Sequence, residues 1–298
     1  MPGATQTLPT LEVTHIMRAL ERDVFDAIWA AVEPLLPPPP KTHPLGCHRP
    51  RISDRVCFRG ILIRLVTGCS WVDVEAILDH QVSDTTLRSR RDEWLTAGVF
   101  DQLAAEALAG YDRIIGLDLT EVAIDGSQHK APCGGEGTGP NCTDKGRSGW
   151  KWSLATDTDG IPIGIIAAPA NRNDCKLVAA TLDDIGQSGL LEEIETLHLD
   201  RGYDFAFVRQ DCADRGLIDV LIPKCRKRKA KGRLAKKPIP LGLRWPVERT
   251  NSWLSNFGQL RRNTDRRSMH RRAHLQLAIA VLLTAKLIDW AHRWSPIR

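Results

Sequence analysis

Near residue 110 the spacing of apolar residues changes period, and this change constrains the fold more than any other feature of the chain. Before it, the period is helical. Val24, Phe25, Ile28, Val32 and Leu35 recur three and four apart, which predicts a helix over about residues 20–36. Pro37, Pro38, Pro39 and Pro40 stop that helix and make a stiff connector. Ser53 is a good N-cap for a second helix, which buries Val56, Ile61, Leu62 and Leu65 and ends at Gly68. A short helix over about residues 72–78 follows. A fourth begins after Ser83, carrying Thr85, Thr86, Arg88, Arg90 and Arg91, with Leu87 and Trp94 one heptad apart facing inward. Two helices joined by a short turn, the second rich in Arg and Thr, fit a helix-turn-helix DNA reader, and they fit an ordinary charged surface helix equally well.

Beyond residue 110 the pattern turns to short strands. Residues 122–124 form a β-type run ending in Asp125-Gly126, and a glycine-rich stretch follows. Residues 150–156 and 161–167 read as a hairpin around Asp157-Thr-Asp159-Gly160. Asn173-Asp174 caps a helix running to about Ile185. Residues 196–199 make a strand ending at Asp200, followed by a helix over about 205–214 and a strand over 219–222. A helix over about 245–260 and a final apolar helix over about 275–288 complete the chain. Three strands in succession, then strand–helix alternation, predict an α/β domain: a mixed sheet with flanking helices. The 298 residues allow two domains, expected at 1–112 and 113–298, with a basic insertion at about 224–243.

The net charge of +5 hides an asymmetry. Residues 224–272 hold 17 Lys and Arg against 2 Asp and Glu, so the rest of the chain is net acidic. One strongly basic segment on an acidic protein points to a polyanion, most commonly nucleic acid, although a solvated charged loop has the same composition. Lys224, Arg226, Lys227, Arg228, Lys229, Lys231, Arg233, Lys236 and Lys237 crowd into this segment and are expected to hold phosphates without reading sequence. The eight cysteines include no Cys-x-x-Cys pair and no zinc-type spacing, so they are expected as reduced thiols in a cytoplasmic protein. The longest apolar run is too short to span a bilayer and contains Lys286, and reads as a buried helix.

Three acidic residues stand out in this layout. Asp125 and Asp200 each end a strand, and Glu248 sits on a later helix. Carboxylates leaving neighbouring strands at the same end can converge, with a packed helix supplying a third; such a cluster repels itself unless cations join it. Taken singly, each has a plainer role: Asp125-Gly126 as a turn, Asp200 as a cap, Glu248 as a partner for Arg244 one turn away.

Several motifs then bear on the choice. Trp29-Ala-Ala-Val-Glu-Pro34-Leu-Leu-Pro37, Arg49-Pro-Arg51 and Thr67-Gly-Cys-Ser-Trp71 lie in the helical third. Ile124-Asp-Gly-Ser127, Lys145-Gly-Arg-Ser148, Asp159-Gly-Ile-Pro162, Ala170-Asn-Arg-Asn-Asp174, Asp200-Arg-Gly-Tyr203-Asp204 and Arg244-Trp-Pro-Val-Glu-Arg249 lie beyond it. In order and spacing the chain resembles the DDE transposases of the insertion-sequence-five family, within the insertion-sequence-four/five superfamily. The resemblance implies an RNase H-like catalytic domain preceded by a helix-turn-helix-like DNA-binding region. It implies Asp125, Asp200 and Glu248 as the catalytic, metal-binding triad, Mg²⁺ or Mn²⁺ as cofactor in a pair of ions, and DNA as partner, held by a homodimer in the bacterial cytoplasm at the nucleoid. Arg88, Arg91, Lys145, Arg147, Arg244, Arg261 and Arg262 are the further residues expected on DNA. Around the glutamate, Arg244 and Glu248 match the family signature, whereas Leu241 and Ser255 stand where it has Tyr and Lys. A metal nuclease that cuts without joining, and an inactive DNA-binding derivative, remain the alternatives.

Overall fold

The computed structural model describes residues 18–39, 50–223 and 244–294. Five helices come first: α1 (Arg22–Val32), α2 (Asp54–Thr67), α3 (Trp71–Ile77), α4 (Asp84–Thr96) and α5 (Val99–Ile114). The expected helices are present. α3 starts on a full capping box, Ser70 with Asp73, and Ser83 accepts a hydrogen bond from the Thr86 backbone N–H to open α4. Ser53 stands at the N-cap of α2 without a side-chain bond to the backbone. Helix α5 occupies a stretch to which the motifs assign no element. Its apolar residues Val99, Phe100, Leu103, Ala104 and Tyr111 are buried at helical spacing, after a left-handed Gly98 that separates it from α4.

The sheet has six strands: β1 (Glu121–Lys130), β2 (Gly139–Pro140), β3 (Ser148–Thr156), β4 (Pro162–Pro169), β5 (Thr196–Leu199) and β6 (Asp219–Leu221). Their order is β2-β3-β1-β5-β6, with β4 also on β3. β1, β3 and β4 run antiparallel, while β1, β5 and β6 run parallel. Helices α6 (Val178–Gln187) and α7 (Ala206–Asp214) make the crossovers, as the strand–helix alternation requires. Val122 and Ile124 of β1 join the core of this face with Val178, Leu182 and Val208. Ala123, on the opposite face, joins a larger core with Trp150, Trp152 and Val247.

That larger core is continuous with the N-terminal helices. The last helix, α10 (Ser268–Trp294), packs chiefly on α5 and also on α1, and Leu275, Leu277, Ala278, Val281 and Leu283 are buried there. By length and composition α10 would cross a membrane, yet more than half of its apolar window is buried within the protein. The helix expected over 245–260 is interrupted: α8 (Trp245–Ser255) ends near Asn256, and the short α9 (Gly258–Arg261) follows. The interruption lets α9 meet the end of α2 backbone to backbone. A Cβ on Gly258 would lie 2.3 Å from the Thr67 carbonyl oxygen, and Gly68 opposite has φ of 71°.

Candidate active site

Strand β1 does not end at Asp125, as the Asp-Gly pair suggests, but continues to Lys130 alongside β3. What ends is its other neighbour. The parallel register pairs Glu121 with Thr196 and finishes at Ile124 with Leu199. Asp125 and Asp200 are therefore the next residues along two adjacent strands, one step beyond the last pair. Residues at matching positions of neighbouring strands point to one face, here the face of Ala123, against which α8 packs. Helix α8 brings Glu248 to the same place, with Pro246 in its first turn fixing the entry of the chain.

The three carboxylates meet on one guanidinium. Arg244 Nη2 lies 3.0 Å from Glu248 Oε1 and 3.9 Å from Asp125 Oδ2, and its Nη1 lies 3.7 Å from Asp200 Oδ2. Burial pushes the Asp125 carboxyl up to about 6, and the charges of Glu248 and Asp200 add to this; the Gly126 N–H and Arg244 act the other way. The plainer roles coexist with convergence: Asp200 accepts the Arg201 N–H at the start of a helical turn, and Glu248 does pair with Arg244.

Below Asp125 lies a second constellation that sequence reasoning missed. Lys151 of β3 is only 2 % exposed and its Nζ lies 2.7 Å from Asp174 Oδ1. The Asp174 carboxylate presses on Gly126, where a Cβ would sit 2.4 Å from its oxygen. The Asn173-Asp174 pair reads as a helix cap, but Asn173 alone does that work, accepting the Cys175 N–H, and Asp174 serves the buried lysine. The Tyr203 hydroxyl is buried with no hydrogen-bond partner among the described residues, and burial, with Asp125, Asp174 and Asp200 adding to it, holds the phenol protonated. A lysine in an alternating strand pattern, next to Trp on either side, is the available signal for this pair.

Two nearby aspartates have partners of their own. Asp118 precedes β1 and accepts hydrogen bonds from Thr120, and Asp204 pairs with Arg209. Asp157 is a turn residue as expected, though a buried one whose carboxylate accepts the Ile161 and Asp159 backbone N–H groups.

Residues 24–104 match the family described as "Putative transposase of IS4/5 family", and residues 116–283, more than half of the chain, match the "Transposase DDE domain". The chain belongs to the DDE transposases of IS4/5 type. It is 37% identical over 150 residues to the "Putative transposase for insertion sequence element IS402" of Burkholderia cepacia, across 49% of this chain and 67% of that protein. It is also 35% identical over 116 residues to the "Insertion element IS402 uncharacterized 16.2 kDa protein" of the same species, across 39% of this chain and 78% of that protein. The transposase is thus an enzyme acting on DNA, with the mixed sheet, flanking helices and helical N-terminal region of an RNase H-like DDE protein.

The family uses divalent metal ions, and the donor set fits them. Three hard carboxylate groups share one protein cation, and burial pushes the Asp125 carboxyl up to about 6. Among the described residues no three such side chains are already drawn to metal-ligand spacing; the guanidinium of Arg244 touches all three instead. The described cysteines, Cys57, Cys69, Cys133, Cys142, Cys175 and Cys212, are free thiols, as expected.

Apart from Arg244, which lies among the carboxylates, the residues expected on DNA divide into three groups. Lys145, Arg147, Arg261 and Arg262 are exposed, and Arg88 is exposed with Asp84 beside it. Arg91 is a correction: it is buried against Asp92 and Asp265, with its guanidinium over the Trp71 ring. Arg90, next to it, is buried against Asp54. Lys224, Arg226, Lys227, Arg228, Lys229, Lys231, Arg233, Lys236 and Lys237, with Leu241, lie outside the described residues. Arg261 and Arg262 line a cleft of about 460 Å³ with Gln128, His129, Lys130, Asn141, Thr143 and Asp144. His129 is stacked on Trp152 and held neutral by burial, which pushes its imidazole down to about 3, so Lys130 is the charged member of that pair.

Proposed function

We propose that this transposase cuts the strands at the ends of a mobile element and joins the freed 3′-hydroxyls to target DNA, with Asp125, Asp200 and Glu248 as its catalytic carboxylates. The observation that carries the reading is their convergence on Arg244 from two adjacent parallel strands and a facing helix. Two divalent ions, Mg²⁺ or Mn²⁺, supply when bound the activation of the attacking oxygen and the neutralisation of the leaving one. The protein's part is to hold three charged carboxylates in one register. The sheet fixes Asp125 and Asp200, and α8 fixes Glu248. Phosphates on either side of the scissile bond are held by Lys130, Lys145, Arg147, Arg261 and Arg262, and by the basic residues of 224–237. Residues 1–112 recognise element ends, with Arg88 and Thr85 on the outward side of α4, and residues 113–298 carry the chemistry. Two copies of the chain act together, one per element end, in the cytoplasm at the nucleoid.

The test is a cleavage and joining assay on duplexes bearing the element ends, with gel-shift and melting curves on the same samples. Asp125→Asn, Asp200→Asn and Glu248→Gln are each expected to slow cleavage by at least about a thousandfold, or about 4 kcal/mol of barrier, while retaining DNA binding and fold. Undiminished cleavage by any of the three removes that residue from the site. Full activity after rigorous chelation removes the metal. Cleavage with no joined product establishes the nuclease reading.

A further inference from the structure

We infer that Arg244 is a built-in place-holder for the metal: it offsets part of the charge of the three carboxylates while the site is empty of cations and must leave them for metal to enter. The inference rests on the assignment of Asp125, Asp200 and Glu248 above.

Charge and reach both point this way. Arg244 spreads its contacts over all three carboxylates, 3.0 Å from Glu248 and under 4 Å from the two aspartates. It stands at the N-terminal boundary of α8, outside the rigid turns of the helix, and its side chain is about a quarter exposed. The guanidinium is permanently charged and planar, so it can serve two carboxylates at once in a way that a point cation on a flexible stem does not. With Arg244 alone the ionised cluster carries a net charge of about −2, three carboxylates against one guanidinium. Two divalent ions would take the same three carboxylates past neutrality. Arg244 in its present position would then face cations within a few ångströms, and like charges that close repel strongly. The guanidinium is consequently driven out as metal enters, toward the anion that arrives with it, the phosphodiester.

A purely supporting arginine would behave in the opposite way. If Arg244 only oriented the carboxylates, removing it would loosen the site and weaken metal binding. A place-holder competes, so removing it strengthens metal binding even as it harms the reaction with DNA.

The experiment uses the full-length protein without DNA. Mn²⁺ affinity is measured by calorimetry and by the loss of the free-ion paramagnetic signal, for the wild type, Arg244→Gln, Arg244→Lys and Asp125→Asn. Arg244→Gln is expected to bind Mn²⁺ at least about tenfold more tightly at low ionic strength, as removal of a unit charge at such a distance requires. Arg244→Lys is expected to fall between it and the wild type. In chelator Arg244→Gln melts below the wild type, and the rise in Tm on adding Mn²⁺ is larger in the variant, since a ligand stabilises in proportion to the logarithm of its binding. Unchanged or weaker Mn²⁺ binding by Arg244→Gln, with a Tm deficit that Mn²⁺ does not close, overturns the inference. Asp125→Asn separates this failure from failure of the site itself. Mn²⁺ binding lost in Asp125→Asn but not tightened in Arg244→Gln sinks only the place-holder; Mn²⁺ binding indifferent to Asp125→Asn sinks the assigned site, and the place-holder with it.

Discussion

Two of the charged clusters among the described residues of this transposase are built on opposite ratios of acidic to basic side chains. In the first, three carboxylates, Asp125, Asp200 and Glu248, share one guanidinium, and all three are partly open to solvent. In the second, one carboxylate, Asp265, lies 6 % exposed among many donors. Arg64 and Arg91 stand 3.6 and 3.5 Å from its Oδ1, while Gln259 Nε2 and His274 Nδ1 stand 2.8 and 3.0 Å from its Oδ2. Burial alone would raise the Asp265 carboxyl; His274, Arg64 and Arg91 overrule it and hold the group well below the ordinary carboxylate range. The first cluster is short of positive charge and accessible. The second is fully supplied by the protein and closed. A buried ion pair satisfied from within is a fastening, here tying α2, α4, α9 and α10 together, whereas an under-supplied one is prepared for cations from outside.

The largest effect expected from this contrast is on stability. Asp265→Ala leaves the buried Arg64 without its anion and Arg91 with Asp92 alone, and is expected to lower stability by about 3–5 kcal/mol, read as a large drop in Tm. Alanine at Asp125, on the acidic side of the comparison, is expected not to lower the metal-free Tm at all. A mild Asp265→Ala would show that water reaches Arg64 and Arg91, and the distinction between closed and open clusters would fall.

The two clusters also answer pH in opposite senses. The folded Asp265 carboxyl sits below its unfolded value, so its contribution is present above about pH 4 and is lost as pH falls. The folded Asp125 carboxyl sits above its unfolded value, near 6. Metal-free protein therefore loses stability as pH rises from about 4 to about 6, by roughly 2–3 kcal/mol, because each tenfold difference in proton affinity between the folded and unfolded chain is worth about 1.4 kcal/mol. Denaturant melts of the chelated wild type and Asp125→Asn across that window check this. The variant is expected to show a smaller loss, since Asp157, also pushed up to about 6 by burial, keeps its share, and identical slopes would mean that Asp125 is not raised by its surroundings.

A middle-sized effect concerns the pair beneath the site. Asp174→Asn deprives the buried Lys151 of its anion, but the carboxylate is itself about two-fifths exposed. The expected cost is about 1–2 kcal/mol, below that of a fully enclosed pair, together with slower cleavage. A fully active, fully stable Asp174→Asn would place Lys151 in contact with water and outside the support of β1. The smallest effect belongs to Arg88, exposed on α4 and paired with Asp84. Arg88→Gln is expected to change stability by less than about 0.5 kcal/mol and to reduce the salt slope of DNA binding by about one. A Tm drop comparable to that of Asp265→Ala would make α4 a packed core helix on both sides.

Some of this is legible in the sequence, and the rest is hidden for physical reasons. The strand at residues 196–199 is readable to the residue, because a short apolar run bounded by polar residues leaves little freedom. The convergence of Asp125 with Asp200 follows from strand ends, but the reason differs: β1 outruns β5, so that an aspartate in mid-strand lies where its neighbour stops. Such an overhang depends on the partner strand and leaves no mark in the sequence of β1 itself. Arg91 is misplaced by its charge although the signal is present. Leu87 and Trp94 define the inward stripe of α4, and residues 90 and 91 lie three and four positions from each, on that same stripe. Charge suggests the surface; periodicity, read strictly, gives the interior. Helix α5 escapes notice because no motif marks a segment whose apolar spacing alone shows it. Lys151 is hidden because a buried lysine declares itself only through a partner 23 positions away.

The position of α10 has a consequence for the order of events in the cell. This helix closes against α5 and α1 and, through Arg271 and His274, against the loop that carries Asp265. The N-terminal helices therefore complete their core with residues made more than 150 positions later, and a contact between such distant parts forms late. During synthesis the N-terminal helices emerge first but cannot complete their core until residues 268–294 have left the ribosome. Assembly of the first helices is in that sense an act of the finished molecule: a nascent or C-terminally shortened copy is left without the surface against which they pack.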